Sequence, residues 1–224
     1  WRWNWRLNAK FLVFSYRMHR LFLLVLPFFL IVFSAFGQSE IRFRNYTISN
    51  GLSQSSVTCI VQDDLNTFWI GTQDGLNRYD GKTFEIFTSS DIEGLESEYI
   101  RCAEKDNYGN LWFGTNNGLT KYDIKRENFT TYTYKSGVAL QIEDIAIGKN
   151  GIIWVASTET GIYRFNTKLK SFKSFQLIIP SKKTTNIHLT ESGKLIVSSS
   201  DEGIYICDAQ MTSALQVKLK GLKR

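Results

Sequence analysis

The chain has 224 residues, of which 14% are aromatic and only two are proline, a composition that excludes intrinsic disorder and favours an ordered, strand-rich protein. Its formal charge of +6 and pI near 9.2 would suit an anionic partner, but the excess sits at the ends of the chain. Arg2, Arg6, Lys10, Arg17 and Arg20 lie before position 38 with no acidic residue among them, and Lys218, Lys220, Lys223 and Arg224 crowd the last seven positions, so the body between is slightly acidic and direct nucleic-acid binding is excluded.

The first 37 residues read as an export signal. Residues 21–36 form an apolar run of 16 preceded by Arg17, His19 and Arg20 and followed by small residues at Ala35 and Gly37. This is the basic, apolar and cleavage-site order of a secretory signal, with Gln38 as the first mature residue. A membrane span wants about 20 apolar residues, so an uncleaved anchor is the weaker reading. Residues 1–17 do not resemble the start of a signal: three of the six tryptophans fall in the first five positions, and Met18 stands where a start codon belongs. The expectation is that 18–37 is the signal peptide and 1–17 is translated upstream sequence, the rival being a basic amphipathic membrane arm.

Residues 41–48 alternate apolar and polar side chains at period two and read as a strand, followed by the turn signal Asn50-Gly51. Beyond it the chain repeats. The stretch Phe68-Trp69-Ile70-Gly71-Thr72 returns as Leu111-Trp112-Phe113-Gly114-Thr115 and as Ile153-Trp154-Val155-Ala156-Ser157. It returns a fourth time, without the tryptophan, as Leu195-Ile196-Val197-Ser198-Ser199. Trp69, Trp112, Trp154 and Ile196 are spaced 43, 42 and 42 residues apart, and Gly75, Gly118, Gly161 and Gly203 keep the same beat. A fixed period of this size sets the whole architecture. Each unit resolves into four short strands: 57–62, 67–71, 76–79 and 83–87 in the first; 99–104, 111–114, 119–122 and 128–134 in the second. The third gives 141–147, 152–156, 162–165 and 171–177, and the fourth 186–190, 195–198, 204–207 and 214–219. Four strands in about 42 residues describe a blade of an all-β propeller, and no apolar stripe of helical period competes. The expected blades span 51–90, 95–134, 138–177 and 184–219.

The repeated residues have structural duties. A tryptophan in mid-strand can fill the wedge between neighbouring twisted sheets. A sugar-stacking platform is the functional alternative, but it would not need one copy per blade. The glycines follow polar tips where a tight turn wants positive φ. Tyr79, Tyr122, Phe165 and Cys207 close the third strand of each unit at one phase. Cys59 and Cys102 occupy equivalent positions in adjacent units, which adjacent blades would hold beyond the roughly 7 Å Cα limit for a disulfide. They read as small buried thiols on an inner strand. No Cys-x-x-Cys pair exists and His19 and His188 are isolated, so a metal site has no support. Asp63-Asp64 and Asp201-Glu202 fall at turns, where acidic residues are expected without catalysis. Residues 106–110 likewise read as a hairpin turn and not a calcium loop, lacking the closing glutamate.

The series Gly51-Leu52-Ser53, Val57, Gln62-Asp63, Trp69-Ile70-Gly71-Thr72 and Gly75-Leu76-Asn77-Arg78-Tyr79-Asp80 resembles the two-component regulator propeller repeat. The resemblance runs over about residues 41–208, strongest in the first two units and weakest in the fourth. It implies the periplasmic sensor of a hybrid histidine kinase, in which two seven-bladed propellers precede an immunoglobulin-like domain, a membrane helix and cytoplasmic kinase, receiver and DNA-binding domains. About four blades of about 42 residues are present, where a seven-bladed ring needs roughly 300 residues, so the expectation is an N-terminal piece whose 41–48 strand closes the ring. The implied function is sensing by binding, with polysaccharide-derived oligosaccharides or another small molecule as ligand. The implied partners are the remaining blades, a second propeller and a second copy in a homodimer. Connections 88–98, 135–140 and 178–185 are candidate ligand loops. No catalytic, cofactor or metal residues are assigned, no cofactor is expected, and ligand contacts are unassigned. The alternatives are a secreted binding or scaffold propeller and, less favoured, a carbohydrate-active propeller enzyme.

Overall fold

The computed structural model describes residues 42–135, 139–175, 179–181, 183–208 and 210–217. The segments expected to be a signal peptide (18–37) and translated upstream sequence (1–17) lie outside these residues. The propeller unit is Tyr46–Arg224, and among the described residues no helix is long and apolar enough to cross a membrane.

Four four-stranded antiparallel sheets follow one another, each with its strands side by side in chain order. The first contains β1 (Val57–Gln62), β2 (Phe68–Thr72), β3 (Leu76–Tyr79) and β4 (Phe84–Phe87). The second contains β5 (Ile100–Lys105), β6 (Leu111–Thr115), β7 (Gly118–Asp123) and β8 (Asn128–Tyr132). β9 (Asp144–Ile147), β10 (Ile152–Ser157), β11 (Gly161–Asn166) and β12 (Ser171–Ser174) form the third, and β13 (Thr184–Leu189), β14 (Leu195–Ser199), β15 (Gly203–Cys207) and β16 (Ala214–Gln216) the fourth. These are propeller blades, and they agree with the strands read from the repeat to within a few residues.

The strand expected over 41–48 is not formed. Residues 42–47 have no regular structure and Ile48–Asn50 is a 3-10 turn, while Ile41 lies outside the described residues. A strand exists through its ladder partner, and none of the four sheets pairs with this segment. Tyr46 instead packs beside the first blade, its hydroxyl 2.8 Å from that of Tyr79 and its ring edge-on to Phe84.

The core lies between blades. Trp69 is buried with Ile100, Leu111, Phe113 and Tyr122 of the second blade, Trp112 with Ile153, Val155 and Phe165 of the third, and Trp154 with Leu195, Val197 and Tyr205 of the fourth. Each tryptophan thus fills the wedge to the next sheet, as its size and position on the second strand dictate. The glycine two residues later serves the same junction from the other side. A Cβ on Gly71 would stand 2.5 Å from Cys59 Sγ and 2.8 Å from Ile100 Cγ2, and one on Gly114 would stand 2.4 Å from Cys102 Sγ and 2.5 Å from Ile142 Cγ2. The threonine after it turns the chain: Thr115 Oγ1 donates to the Gly118 carbonyl at 3.0 Å and accepts from the Asn117 amide at 3.0 Å, with Gly118 at φ 116°.

Polar side chains on the innermost strands tie blade to blade. Thr58 Oγ1 donates to the Ile100 carbonyl at 2.6 Å, and Arg101 Nη1 donates to both oxygens of Glu143 at 2.7 and 2.8 Å. Glu104 Oε2 accepts from the Ile147 amide at 2.7 Å, and Asp144 Oδ2 from the Ile187 amide at 2.9 Å. Cys59, Cys102 and Cys207 are free thiols. Burial pushes Cys59 and Cys207 up to about 11, so all three stay protonated and act as small apolar groups.

Candidate functional site

The turn joining the first two strands of a blade is built on one carboxylate. Asp63 Oδ1 accepts from the amides of Leu65 and Thr67 at 2.9 Å, and its Oδ2 accepts from Trp69 Nε1 at 2.9 Å. Six residues before the second tryptophan, Asp106 does the same: its Oδ1 takes the Tyr108 and Asn110 amides at 2.9 Å and its Oδ2 takes Trp112 Nε1 at 2.9 Å. One side chain therefore shapes the turn and satisfies an indole N–H that is otherwise buried.

Opposite each tryptophan on the third strand stands a cation. Arg78 pairs with Trp69, Lys121 with Trp112 and Arg164 with Trp154. In the first blade the Arg78 guanidinium lies 5.7 Å from the indole and 2.5 Å from Glu85 on β4. In the second, Lys121 Nζ lies 6.0 Å from the indole and 2.9 Å from Asp123. Tryptophan, turn carboxylate, cation and a second carboxylate form a closed set. An aromatic of the next blade covers it, Tyr122 lying 4.5 Å from Trp69 and Phe165 5.9 Å from Trp112, centroid to centroid.

The third blade keeps the tryptophan and the cation and loses the rest. The residue six before Trp154 is Gly148; the residue across from Arg164 on β12 is Lys173; the counterpart of Asp123 is Asn166; and the covering aromatic is replaced by Cys207. Trp154 is 5% exposed, and its Nε1 donates to no described residue. Arg164 forms no ion pair with a described residue; its guanidinium is stacked 5.6 Å from the Phe175 ring. Beside the missing groups opens a cleft of about 930 Å³ that reaches from the second blade to the fourth, lined by Glu104, Gly148, Asn150, Trp154, Arg164 and Glu191 among others. The corresponding spaces beside Trp69 and Trp112 measure about 210 and 60 Å³. A volume near 900 Å³ is that of a small-molecule site, and this one opens where a repeated polar set is left incomplete. Burial raises the Glu104 carboxyl at its inner wall above its ordinary 4.5, against the opposing Ile147 amide.

The candidate ligand loops 88–98, 135–140 and 178–185 stand at the other end of the blades, because an antiparallel meander puts its first and third turns together and its second turn with the blade-to-blade connection. Residues 136–138, 178 and 182 lie outside the described residues. Of the acidic pairs, Asp63 is the turn carboxylate and Asp64 meets Lys105 Nζ at 2.7 Å. Asp201 accepts from Ser181 and Ser199 in the turn between β14 and β15. Among the described residues no group of His, Cys, Asp and Glu could hold a metal ion. Sequence reasoning missed the cleft, although the Asp-x5-Trp spacing shared by two units and broken at Gly148 is visible in it.

This chain is a β-propeller of four-stranded blades. Residues 51–74 and 94–117 match the model of the two component regulator propeller, and these units are repeats of that family. A segment of 69 residues is 42% identical to "Histidine kinase P4" of Formosa agariphila and makes up 31% of this chain. The same fold occurs in the extracellular domain of a protein described as the hybrid two component system BT3049 of B. thetaiotaomicron (TM-score 0.68, 22% identity, 80% of this chain covered). It also occurs in that of BT4673 of the same organism (TM-score 0.64, 17% identity, 83% covered). The chain spans 5% of the length of the kinase and 26% and 24% of the two structures.

Proposed function

We propose that this propeller is the extracytoplasmic ligand-sensing part of a membrane two-component histidine kinase and works by binding, not by chemistry. The observation that carries the reading is the tandem match of residues 51–74 and 94–117 to the two component regulator propeller, on blades that hold a cleft of ligand dimensions. The ligand class is oligosaccharides released from polysaccharides. Export through 18–37 places the blades on the periplasmic side, and a span elsewhere in the protein anchors them. Binding shifts a dimeric ectodomain between two arrangements and biases the kinase by its differential affinity for them.

The test is made on the intact protein reconstituted in lipid discs. Digests of neutral and acidic polysaccharides are screened for a rise in melting temperature and a change in autophosphorylation. At least one digest raises both; a protein indifferent to every digest refutes sensing of glycans, and turnover of an oligosaccharide refutes binding without chemistry.

A further inference from the structure

The cleft between the third and fourth blades differs from its two counterparts by what has been removed. In the first two blades a carboxylate receives the indole N–H and two turn amides. In the third, Gly148 offers none, so Trp154 Nε1 and the turn amides of Asn150 and Ile152 have lost the acceptor that their equivalents bind. The cation partner has been lost as well. Glu85 balances Arg78, and Asp123 balances Lys121, whereas Arg164 faces Lys173 across the sheet. The Arg164 guanidinium lies 5.6 Å from the Phe175 ring centroid and makes no ion pair with a described residue, leaving N–H donors for a planar anion. Trp154 lines the cleft, and its indole N–H finds no acceptor among the described residues.

We infer that the cleft binds a carboxylate carried on a compact ring, the hexuronate residue of an acidic oligosaccharide, whose carboxylate takes the place of the missing aspartate between Trp154 Nε1 and Arg164. The ring lies beside the indole against Leu189 and extends toward Thr190, Glu191 and Ser192 at the rim. Thr190, Ser192 and Asn150 supply hydroxyl and amide groups that ring hydroxyls bind, and the Glu191 carboxylate accepts from ring hydroxyls. Glu104 is committed to the Ile147 amide on the inner wall and does not pair with Arg164, and Lys105 is paired with Asp64. This inference rests on the sensor reading and narrows its ligand.

The experiment measures calorimetric binding of hexuronate disaccharides (galacturonate, glucuronate and mannuronate forms) and of their carboxyl-reduced neutral counterparts to the intact protein. Gly148→Asp and Arg164→Gln are the variants. Gly148 has φ −95°, which any residue adopts, and a Cβ there stands 3.2 Å from Ile152 O, 3.3 Å from Leu189 Cδ2 and 3.8 Å from Ile152 Cβ, so its neighbours must give by a few tenths of an ångström. Asp at 148 restores the turn carboxylate alone, taking the indole N–H and displacing the ligand, so in a variant that melts as the parent does affinity drops on the order of tenfold to a hundredfold. Arg164→Gln lowers affinity similarly, and the neutral disaccharides bind at least tenfold more weakly. Equal binding of acidic and neutral sugars, or acidic binding unchanged in both variants, overturns this site and leaves the sensor reading intact. No binding of any hexuronate overturns the site; sensing of glycans falls with it only if neutral digests are silent too.

Discussion

Replacing Asp63 by alanine removes the acceptor of three hydrogen bonds at once, and their values differ. The amides of Leu65 and Thr67 belong to an exposed turn, Leu65 being 76% exposed, and water can replace the carboxylate there at the cost of a turn cap, about 1 kcal/mol by analogy with a helix N-cap. The indole N–H cannot be rehydrated so easily. Trp69 is 1% exposed, and a buried donor left unpaired costs about 1–3 kcal/mol. The sum is a destabilisation of about 2–4 kcal/mol. Urea unfolding of the intact protein, followed by near-ultraviolet circular dichroism, measures it. Trp69→Phe removes the donor, so in the Asp63→Ala, Trp69→Phe pair the second substitution adds less than it costs alone, with a coupling of about 1–2 kcal/mol. A cost of Asp63→Ala below about 0.5 kcal/mol, or strict additivity with Trp69→Phe, would refute the carboxylate–indole pair as the element that holds turn and wedge together.

Gly114→Ala places a methyl 2.4 Å from Cys102 Sγ and 2.5 Å from Ile142 Cγ2, which costs about 1–3 kcal/mol; adding Cys102→Ala recovers part of it, and a neutral single variant would show that the junction is loose. Glu104 binds its proton more tightly folded than unfolded, so its contribution to stability falls as pH rises from its ordinary 4.5 through its raised folded value. Glu104→Gln, which keeps an acceptor for the Ile147 amide, flattens that part of the melting-temperature profile and does not lower it at pH 7; an unchanged profile refutes the assignment. The outer face of the first blade exposes Ile60, Phe68 and Ile86 at 60, 40 and 44%, whereas Leu111, the counterpart of Phe68, is fully buried by the first blade. Residues 38–224 expressed alone are expected to aggregate through this uncovered face; a soluble monomer melting cooperatively in light scattering and calorimetry would contradict that.

Most of the fold was legible because the repeat supplies four readings of one pattern. The strands of each blade, the wedge position of the tryptophans and the turn glycines follow from period and residue type alone. What stayed hidden depends on contacts between units. Gly71 and Gly114 are required by Cys59 and Cys102 of their own blade together with Ile100 and Ile142 of the next, a three-body contact with no local signature. Asp63 and Asp106 read as ordinary turn residues, since nothing in a turn propensity reports that the second carboxylate oxygen reaches an indole. Residues 41–48 have a strand's alternation, but alternation gives a face to bury and not a ladder partner.

The cleft was hidden for the opposite reason. A repeat invites reading by what recurs, and this site is defined by what fails to recur. Gly148, Lys173, Asn166 and Cys207 are individually unremarkable turn and strand residues. Only when they are laid on Asp106, Thr130, Asp123 and Phe165 of the junction before do they become one event, the withdrawal of two carboxylates and a ring from around a retained tryptophan and a retained cation. Trp154 and Arg164 line one cleft with no acceptor and no ion pair among the described residues, the arrangement that an acceptor arriving from outside would complete. Gly148→Asp therefore decides more than a binding constant: a variant that is as stable as the parent and blind to acidic sugars identifies the absent side chain with the ligand.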